Sequence, residues 1–278
     1  LSGFSKSLGI ELASPLNQSR MIAIRMVQFA KDQVLVTARD ISQRVEFQRS
    51  RKAFVANASH ELRTPLTVIS GYLEILESDP DLPEHLAVAV TSAGEQAVRM
   101  QHIINDLLVL SRLEGTMLTR SSGERLNVAA ILKQIVSDLQ KTATDRMHTF
   151  NLDIDDGLFL LGSEAEVQSV CMNLISNAVK YTPDGTRIEI RWYRNYAGHA
   201  CLDVEDDGPG ISVEHLPHLT ERFYRVDAGR SREIGGTGLG LSIVKHILQR
   251  HGGFLHIDSE VGLGSTFRAC FPDYRLLS

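Results

Sequence analysis

The amino-acid sequence predicts a multidomain α+β protein, with a strand-rich segment, a long helical hairpin and a mixed α/β domain in that order. The 278 residues are enough for two or three small domains. Strand-like runs precede residue 41, a helical apolar period continues to residue 113, and helices and strands are mixed beyond residue 124. We therefore expect three structural parts joined by short linkers.

The first 41 residues contain three strand-like runs, at residues 9–16, 20–29 and 33–38. Three antiparallel strands alone make a poor hydrophobic core. We therefore interpret residues 1–41 as the C-terminal part of a larger domain, and we expect that the sequence was cut from a longer protein. Residues 42–52, SQRVEFQRSRK, have the charge density and spacing of an exposed helical linker.

Residues 53–114 are predicted to form an antiparallel helical hairpin, because the segment SDPDLPE at residues 78–84 interrupts two long helical patterns. At about 100° per residue, one side of the first helix carries an apolar stripe. A two-helix hairpin cannot bury such stripes alone, so we expect a homodimer through a four-helix bundle. The stripe consists of Ala58, Leu62, Pro65, Ile69, Tyr72 and Leu76.

His60 lies nearly opposite this stripe, in the segment SHELRTP, and is predicted to face solvent. Glu61 follows it directly, Thr64 lies one turn further on the same face, and Pro65 interrupts the helical hydrogen bonds. An exposed imidazole beside a carboxylate can act as a nucleophile, because one ring nitrogen is free at neutral pH. An incidental surface histidine is the alternative when this residue is taken alone.

The composition excludes several partner classes and bounds the cysteine chemistry. Acidic residues outnumber basic ones by 34 to 29, so no basic field indicates binding to nucleic acid or to an anionic membrane surface. The longest stretch without a charged residue, residues 167–179, is too short to span a bilayer, which needs about 20 apolar residues. Cys171, Cys201 and Cys270 lie far apart in apolar runs and are predicted to be buried, reduced thiols.

After a polar linker at residues 115–124, residues 125–274 are predicted to form one α/β domain. In its segment NLISNAVKY, Asn173 and Asn177 are four residues apart on one helix and face the same way. Amide oxygens suit a hard cation such as Mg²⁺, and the nearby Lys180 suits phosphate. Two polar surface residues would give the same pattern, so this motif alone does not decide the function.

Three glycine-rich segments follow in this domain. In DDGPGI, an aspartate at a strand end can accept a hydrogen bond from an exocyclic amine, and its glycines let a ligand approach the backbone. In GGTGLGLSIVK, glycines open a helix whose free N–H groups favour phosphate. Neither segment has the context of a dinucleotide fold or a P-loop. The residues concerned are Asp206, Gly208, Gly210, Gly236, Gly238 and Gly240, and Gly262 and Gly264 in GLGSTF.

Taken in order, six segments resemble the sensor histidine kinases of two-component systems, and the resemblance extends from about residue 53 to residue 271. SHELRTPL is similar to their H box, NLISNAVKY to the N box, DDGPGI to the first G box, RFYRVD to the F box, GTGLGL to the second G box and GLGSTF to the third. Each segment alone is a weak signal, but six in this order are a specific one. The segment TARDIS, at residues 37–42, is similar to the end of a PAS domain.

The resemblance implies a dimerising helical hairpin followed by an α/β sandwich ATP-binding domain of the GHKL, or Bergerat, type. His60 would be the phosphoacceptor, Glu61 the base that activates it, and Thr64 the residue that orients water in a phosphatase reaction. The implied cofactors are ATP and Mg²⁺, and the implied partners are a second copy of the chain and the receiver domain of a response regulator. Any membrane anchor would precede Leu1, so this chain would be the cytoplasmic portion of a bacterial protein.

The resemblance also implies an ATP site. Asp206 would bind the adenine amine, and Asn177 with Asn173 would hold Mg²⁺ and phosphate oxygens. Residues 227–234 would form a mobile lid. The remaining implied ATP-binding residues are Lys180, Tyr181, Gly208, Gly210, Arg225, Gly236, Gly238, Gly240, Leu241 and Thr266.

Two other functions compete with the kinase, a GHKL-type ATPase or chaperone and a signalling adaptor without catalytic activity. Hydrolysing relatives place a glutamate one helical turn before the metal-binding asparagine, where this chain has Asn173, and an amide cannot accept the proton of a water. The chain departs from the kinase pattern at Ser163 and Asp207, where aspartate and asparagine are common. Neither position has a role in the implied chemistry, so we expect only local changes in hydrogen bonding.

Overall fold

A computed structural model describes residues 8–18, 20–30, 33–113, 118, 123–142, 148–226 and 236–277. The chain divides into two compact units, Leu1–Ala58 and Ser59–Ser278. The predicted α+β architecture is confirmed, with antiparallel strands first, then two long helices, then a mixed domain. Within the described parts of the chain, no helix is long and apolar enough to cross a membrane.

The first unit contains a three-stranded antiparallel sheet in the order β1-β2-β3. Its strands are β1 (Leu8–Ala13), β2 (Met21–Ala30) and β3 (Gln33–Asp40), so the three predicted strands are present with shifted ends. Asp40 ends β3 and accepts a hydrogen bond from the backbone N–H of Ser42 at 2.9 Å, where the first helix begins. This bond satisfies one of the N–H groups that a helix start leaves without an intrahelical partner.

The predicted helical hairpin is confirmed. Helix α1 is Ser42–Glu77 and continues through Pro65, and helix α2 is Glu84–Leu113. Within the second unit, Arg63 donates to Asn105 at 3.1 Å, and Thr91 donates to Glu77 at 3.0 Å, so the two helices are antiparallel neighbours. Much of the apolar stripe on α1 faces solvent in the single chain, with Tyr72 66% and Leu62 55% exposed.

The remainder of the second unit is an α/β domain with one large and one small sheet. The large sheet has the order β5-β7-β8-β10-β9, and the small sheet has the order β11-β6-β4. Only β5 and β7 pair in parallel within the large sheet. The strands are β4 (Glu124–Leu126), β5 (Thr149–Ile154), β6 (Phe159–Gly162), β7 (Arg187–Arg194), β8 (Ala200–Asp206), β9 (Phe254–Glu260), β10 (Gly264–Phe271) and β11 (Leu276–Leu277), and the helices are α3 (Val128–Thr142), α4 (Glu164–Tyr181) and α5 (Gly240–His251).

The two faces of the large sheet differ in chemistry because strand residues alternate between them. On β7, Ile188, Ile190 and Trp192 are buried in the core with the apolar sides of α4 and α5. The other face is polar and carries Asp203, which Arg268 holds with two hydrogen bonds of 2.9 Å. The fold is therefore a two-layer sandwich whose helices cover one face of the sheet.

The prediction of three reduced cysteines is wrong for two of them. Cys201 and Cys270 are register partners on β8 and β10 and form a disulfide, with their Cα atoms 4.2 Å apart. Only Cys171 is a free thiol, and its burial raises its pKa to about 12. The sequence places the paired cysteines 69 residues apart and does not show that their strands are neighbours.

Candidate active site

The helix face that carries His60 is open to solvent. His60, Glu61 and Thr64 are all exposed on α1, whereas the neighbouring Ser59 and Leu66 are buried. His60 is thus exposed, as is much of the apolar stripe opposite it in the single chain. An accessible imidazole is free to react with a group that another domain or another protein presents.

Asp206 lies at the end of β8 with its side chain turned into the layer that α4 covers, and it is 7% exposed. Its Oδ1 accepts the backbone N–H of Gly208 at 3.0 Å. Burial is the main cause that raises the pKa of Asp206 to about 6, and the carboxylates of Asp207 and Glu205 raise it further. Backbone N–H groups of Gly208 and Ser265 act in the opposite direction. A buried acceptor of this kind suits an amine donor from a ligand.

We expect Asp206 to destabilise the folded domain at neutral pH. The folded pKa of about 6 exceeds the ordinary value of 3.8 for an aspartate, so the folded state binds the proton more tightly than the unfolded chain. The stabilisation from protonation is therefore full below about pH 4 and is lost as the pH rises through about 6. Asp206→Asn should raise the free energy of unfolding by about 3 kcal/mol at about pH 8, at 1.36 kcal/mol per pKa unit.

Urea unfolding of the ligand-free wild type and the Asp206→Asn variant, compared at about pH 8 and about pH 4, measures this effect. The stabilisation should be present at the higher pH and small at the lower one. An equal effect of the substitution at both pH values would contradict the assigned pKa shift.

Glycines bring backbone segments into close contact around Asp206. A Cβ atom at Gly208 would lie 2.6 Å from Cγ2 of Thr182 and 2.7 Å from Oδ1 of Asp206. Gly210 has a φ of 68°, and its Cβ would overlap the carbonyl oxygen of Glu260. Gly264, with a φ of 116°, lies in the same way against the carbonyl oxygen of Asp206. Only glycine fits at these positions, because a side chain would overlap neighbouring atoms. We refer to Asp206 together with these glycines as the candidate nucleotide cleft.

The third glycine segment provides a matched pair of substitutions. Gly262 has a φ of 85° but open space around it, whereas Gly264 has both a positive φ and a backbone contact. Gly262→Ala should lower the free energy of unfolding by about 1–2 kcal/mol, the cost of the left-handed conformation. Gly264→Ala should cost at least about 2 kcal/mol more, because the backbone of Asp206 must move. Equal losses in denaturant unfolding would show that the close contact is not important.

The second glycine segment lies against α4. Oδ1 of Asn173 lies beside the position that a Cβ atom would occupy at Gly240. The hydroxyl of Tyr181 lies beside the corresponding position at Gly236. Nη2 of Arg225 lies 3.9 Å from the same Gly236 position. The predicted N box, F box residue and second G box are therefore adjacent in space. Gly238, with a φ of 72°, packs against the backbone of Phe223.

The remaining predicted residues surround this junction, with one exception. Asn177 is half-buried on the same side of α4, Lys180 is exposed near its end, and Leu241 packs against the core. Thr266, however, pairs with Glu205 and therefore lies on the polar face of the sheet, away from Asp206. Ser265 is the register partner of Asp206 and was not predicted. The two-residue alternation along β10 is the signal that distinguishes them.

The residues fit a nucleotide with a hard cation, although the two asparagines differ. Among the residues that the structure describes, no cluster of three or more His, Cys, Asp or Glu side chains could hold a metal. Nδ2 of Asn173 donates to the carbonyl of Ser169 at 2.8 Å, which directs its oxygen towards α5. The oxygen of Asn173 therefore faces the start of α5, on the same helix face as the half-buried Asn177.

The predicted lid and the two departures from the kinase pattern remain to be placed. The predicted lid at residues 227–234 lies outside the described residues. Both departures from the kinase pattern have local partners: Oδ1 of Asp207 accepts the backbone N–H of Arg187 at 2.8 Å, and the N–H of Ser163 lies 3.5 Å from Nε2 of His251. Asp207 is thus held by a local hydrogen bond, and its charge contributes to the raised pKa of Asp206.

A helical hairpin with an exposed histidine is followed in this chain by a sandwich domain with a buried aspartate and closely packed glycines. Family models match both parts. Residues 50–116 match the His Kinase A (phospho-acceptor) domain, and residues 162–275 match the histidine kinase-, DNA gyrase B-, and HSP90-like ATPase. The chain belongs to the sensor histidine kinases of two-component systems.

Known proteins agree with this assignment. The chain is 45% identical to the phosphate regulon sensor protein PhoR of Pseudomonas aeruginosa over 94% of its length, and 37% identical to PhoR of Haemophilus influenzae over 93%. It spans 59% and 60% of these two relatives. Among solved structures, full-length ShkA in complex with AMPPNP matches with a TM-score of 0.65 and 25% identity, over 79% of this chain and 45% of ShkA.

Proposed function

We propose that this chain is the kinase core of a two-component sensor, which transfers the γ-phosphoryl group of ATP to His60 and then to an aspartate of a response regulator. The observation that carries the proposal is the presence, in one chain, of an exposed histidine beside Glu61 and of a buried Asp206 among closely packed glycines. Nitrogen-bound phosphate keeps a high transfer potential, which suits a relay.

Each group in the site has a proposed role. Glu61 takes the ring proton of His60 as the imidazole attacks, and Asp206 accepts a hydrogen bond from the adenine amine. Gly208, Gly210, Gly236, Gly238 and Gly240 let the nucleotide approach the backbone. Lys180, Tyr181 and Arg225 attract phosphate or ribose, and Asn177 with Asn173 holds Mg²⁺. ATP with Mg²⁺ supplies the phosphoryl group.

The competing ATPase function is less well supported. A hydrolase needs a base for water, and the position one turn before Asn177 carries an amide whose nitrogen already donates to the carbonyl of Ser169. The adaptor function is less well supported, because the chain has both the buried Asp206 and the glycines that pack closely around it. The geometry therefore favours transfer to His60 over either rival.

The relatives support a role in phosphate-starvation signalling, with a PhoB-like DNA-binding response regulator as the first candidate partner. We propose a homodimer through the helical hairpin, because the apolar stripe on α1 is exposed in the single chain. The proposed parts are a PAS-like segment at residues 1–41, a helical linker at 42–52, the phosphotransfer hairpin at 53–114, a linker at 115–124 and the catalytic domain at 125–274. A membrane anchor belongs to the chain before Leu1 in this proposal.

A phosphotransfer assay tests the proposal. The chain is incubated with γ-labelled ATP and Mg²⁺, and purified receiver domains, the PhoB-like one among them, are then added. Label should appear first on the chain and should move to one receiver within seconds to minutes. A chain that releases labelled inorganic phosphate without ever carrying label is an ATPase, and the kinase proposal would then be abandoned.

A phosphatase activity is proposed for Thr64. This residue is exposed one helical turn after His60, where its hydroxyl can orient a water towards a phosphoaspartate docked on the same face. Thr64→Ala should lower the rate of regulator dephosphorylation by about ten-fold or more, within the range for positioned polar groups. Thr67→Ala is the matched control, because Thr67 donates to the carbonyl of Arg63 on the same helix. Equal dephosphorylation rates for Thr64→Ala and wild type would contradict the proposed role of Thr64.

A further inference from the structure

A polar contact joins the hairpin to the second glycine segment. The hydroxyl of Thr237 donates to Oδ2 of Asp106, on α2, at 2.8 Å, across 131 residues of sequence. The same hydroxyl oxygen accepts the backbone N–H of Leu239 at 3.2 Å, just before α5 begins. The hydroxyl is therefore fixed by a donor and an acceptor at once. We call the pair Asp106–Thr237 the docking latch.

The docking latch lies at the edge of an apolar interface between α2 and the α/β domain. Leu110 and Leu113 of α2 are buried in the same core cluster as Leu239 and Ile243 of the α/β domain, and Leu107 packs against it. Apolar packing is non-directional. The hydrogen bond of the docking latch therefore adds a directional contact to this interface.

The docking latch also faces the end of the candidate site that we assign to phosphate. Thr237 lies between Gly236, which faces Tyr181 and Arg225, and Gly238. The pKa of Asp106 is raised, with burial as the main cause, while the hydrogen bond from Thr237 and the charges of His102 and Lys180 act against the rise. Lys180 therefore lies close enough to attract the Asp106 carboxylate as well as a phosphate.

We propose that the docking latch holds the empty ATP-binding domain against the hairpin, and that the triphosphate of ATP opens it. This inference rests on the proposed ATP site. The triphosphate brings several negative charges to the glycine segment, where a partly buried carboxylate repels them and where Lys180 cannot neutralise both groups fully. Docking through Asp106 and ATP binding are therefore antagonistic, and the coupling is reciprocal: docking lowers the affinity for ATP by the same factor by which bound ATP weakens docking.

A graded series of ligands tests the charge argument. Affinities of the whole chain for adenosine, ADP and non-hydrolysable AMPPNP are measured by calorimetry for wild type and Asp106→Asn. Asparagine keeps the size of the side chain and an oxygen that can accept from Thr237, so the fold and the docked interface remain. The matched control is Glu95→Gln, which removes one negative charge from an exposed position on the same helix.

Asp106→Asn should bind AMPPNP about 5- to 10-fold more tightly than wild type, at the lower end of typical coupling between sites. The gain should be smaller for ADP and absent for adenosine, whereas Glu95→Gln should resemble wild type for all three ligands. A residue that only stabilises the fold would change the three affinities alike, and that result would overturn the inference. An unchanged AMPPNP affinity would overturn it too.

Hydrogen exchange provides a second measurement. In wild type, AMPPNP should lower the protection of the α2 amides at residues 103–110 as the domain leaves the hairpin. Unchanged or increased protection in these amides on adding AMPPNP would contradict an opening latch. If the wild type binds no nucleotide, both the proposed ATP site and this inference fail. If the wild type binds nucleotide and Asp106→Asn does not change the affinity, the ATP site stands and only this inference fails.

Discussion

His60→Gln should abolish incorporation of label from γ-labelled ATP into the protein. Glutamine keeps the exposed helix face but has no nucleophilic ring nitrogen, so nothing on the helix can accept the phosphoryl group. The loss should exceed about 10³-fold, because removal of the nucleophile removes the covalent step itself. Labelled protein, separated from free nucleotide under alkaline conditions, is the quantity to measure.

His85→Gln is the control for this experiment, because His85 is also exposed and lies on α2 near the hairpin turn. It should incorporate label at the wild-type rate. The His60→Gln variant should still bind ATP and form the dimer, since its substitution touches neither the cleft nor the apolar stripe. Label on His60→Gln at the wild-type rate would falsify the assignment of His60.

Asp206→Asn should lose ATP affinity while the dimer stays intact. The amide replaces the anionic acceptor of the adenine amine with a donor or a weaker, neutral acceptor. A hydrogen bond to a charged group contributes about 1.5–3 kcal/mol, and this contribution is lost. We therefore expect an affinity about 10- to 100-fold lower. Titration with a nucleotide measures the affinity, and light scattering measures the mass of the assembly.

Asp207→Asn provides the matched control next in sequence. Asp207 is exposed, and its Oδ1 accepts the N–H of Arg187, a bond that an amide oxygen can also form. Its ATP affinity should stay within about two-fold of wild type, because a surface carboxylate outside the cleft contributes little. If Asp206→Asn also bound ATP normally, the adenine would have to be recognised elsewhere.

Loss of affinity in Asp206→Asn should occur together with a gain in the free energy of unfolding at neutral pH. The same burial that raises the pKa of Asp206 to about 6 makes its carboxylate costly to the empty domain. Groups that are positioned for a ligand commonly lower the stability of the ligand-free protein in this way. A substitution that lost affinity because the domain unfolded would instead lower stability, so the two measurements separate recognition from folding.

The helical hairpin and the exposure of His60 could be predicted from local patterns. The turn between the helices follows from the proline and acid cluster at residues 78–84, and the side of α1 on which His60 lies follows from a period of 3.6 residues. The order of the glycine segments likewise indicates the nucleotide cleft. These features depend on residues close together in the chain.

The features that the sequence did not predict depend on contacts between distant segments. Pairing of Cys201 with Cys270 requires the register of β8 with β10, and so does the choice of Ser265 over Thr266 as the neighbour of Asp206. The bond between Asp106 and Thr237 joins two parts of the chain through tertiary packing alone. A single sequence carries no signal for such pairings, because periodicity describes which face a residue occupies and not what lies opposite.

The most direct test of the central claim is to locate the phosphate. The wild-type chain is incubated with γ-labelled ATP and Mg²⁺, digested at alkaline pH and analysed by mass spectrometry. We predict one acid-labile phosphate on the ring of His60, with little label released as inorganic phosphate. Label found only as inorganic phosphate, or on a side chain other than His60, would contradict the account.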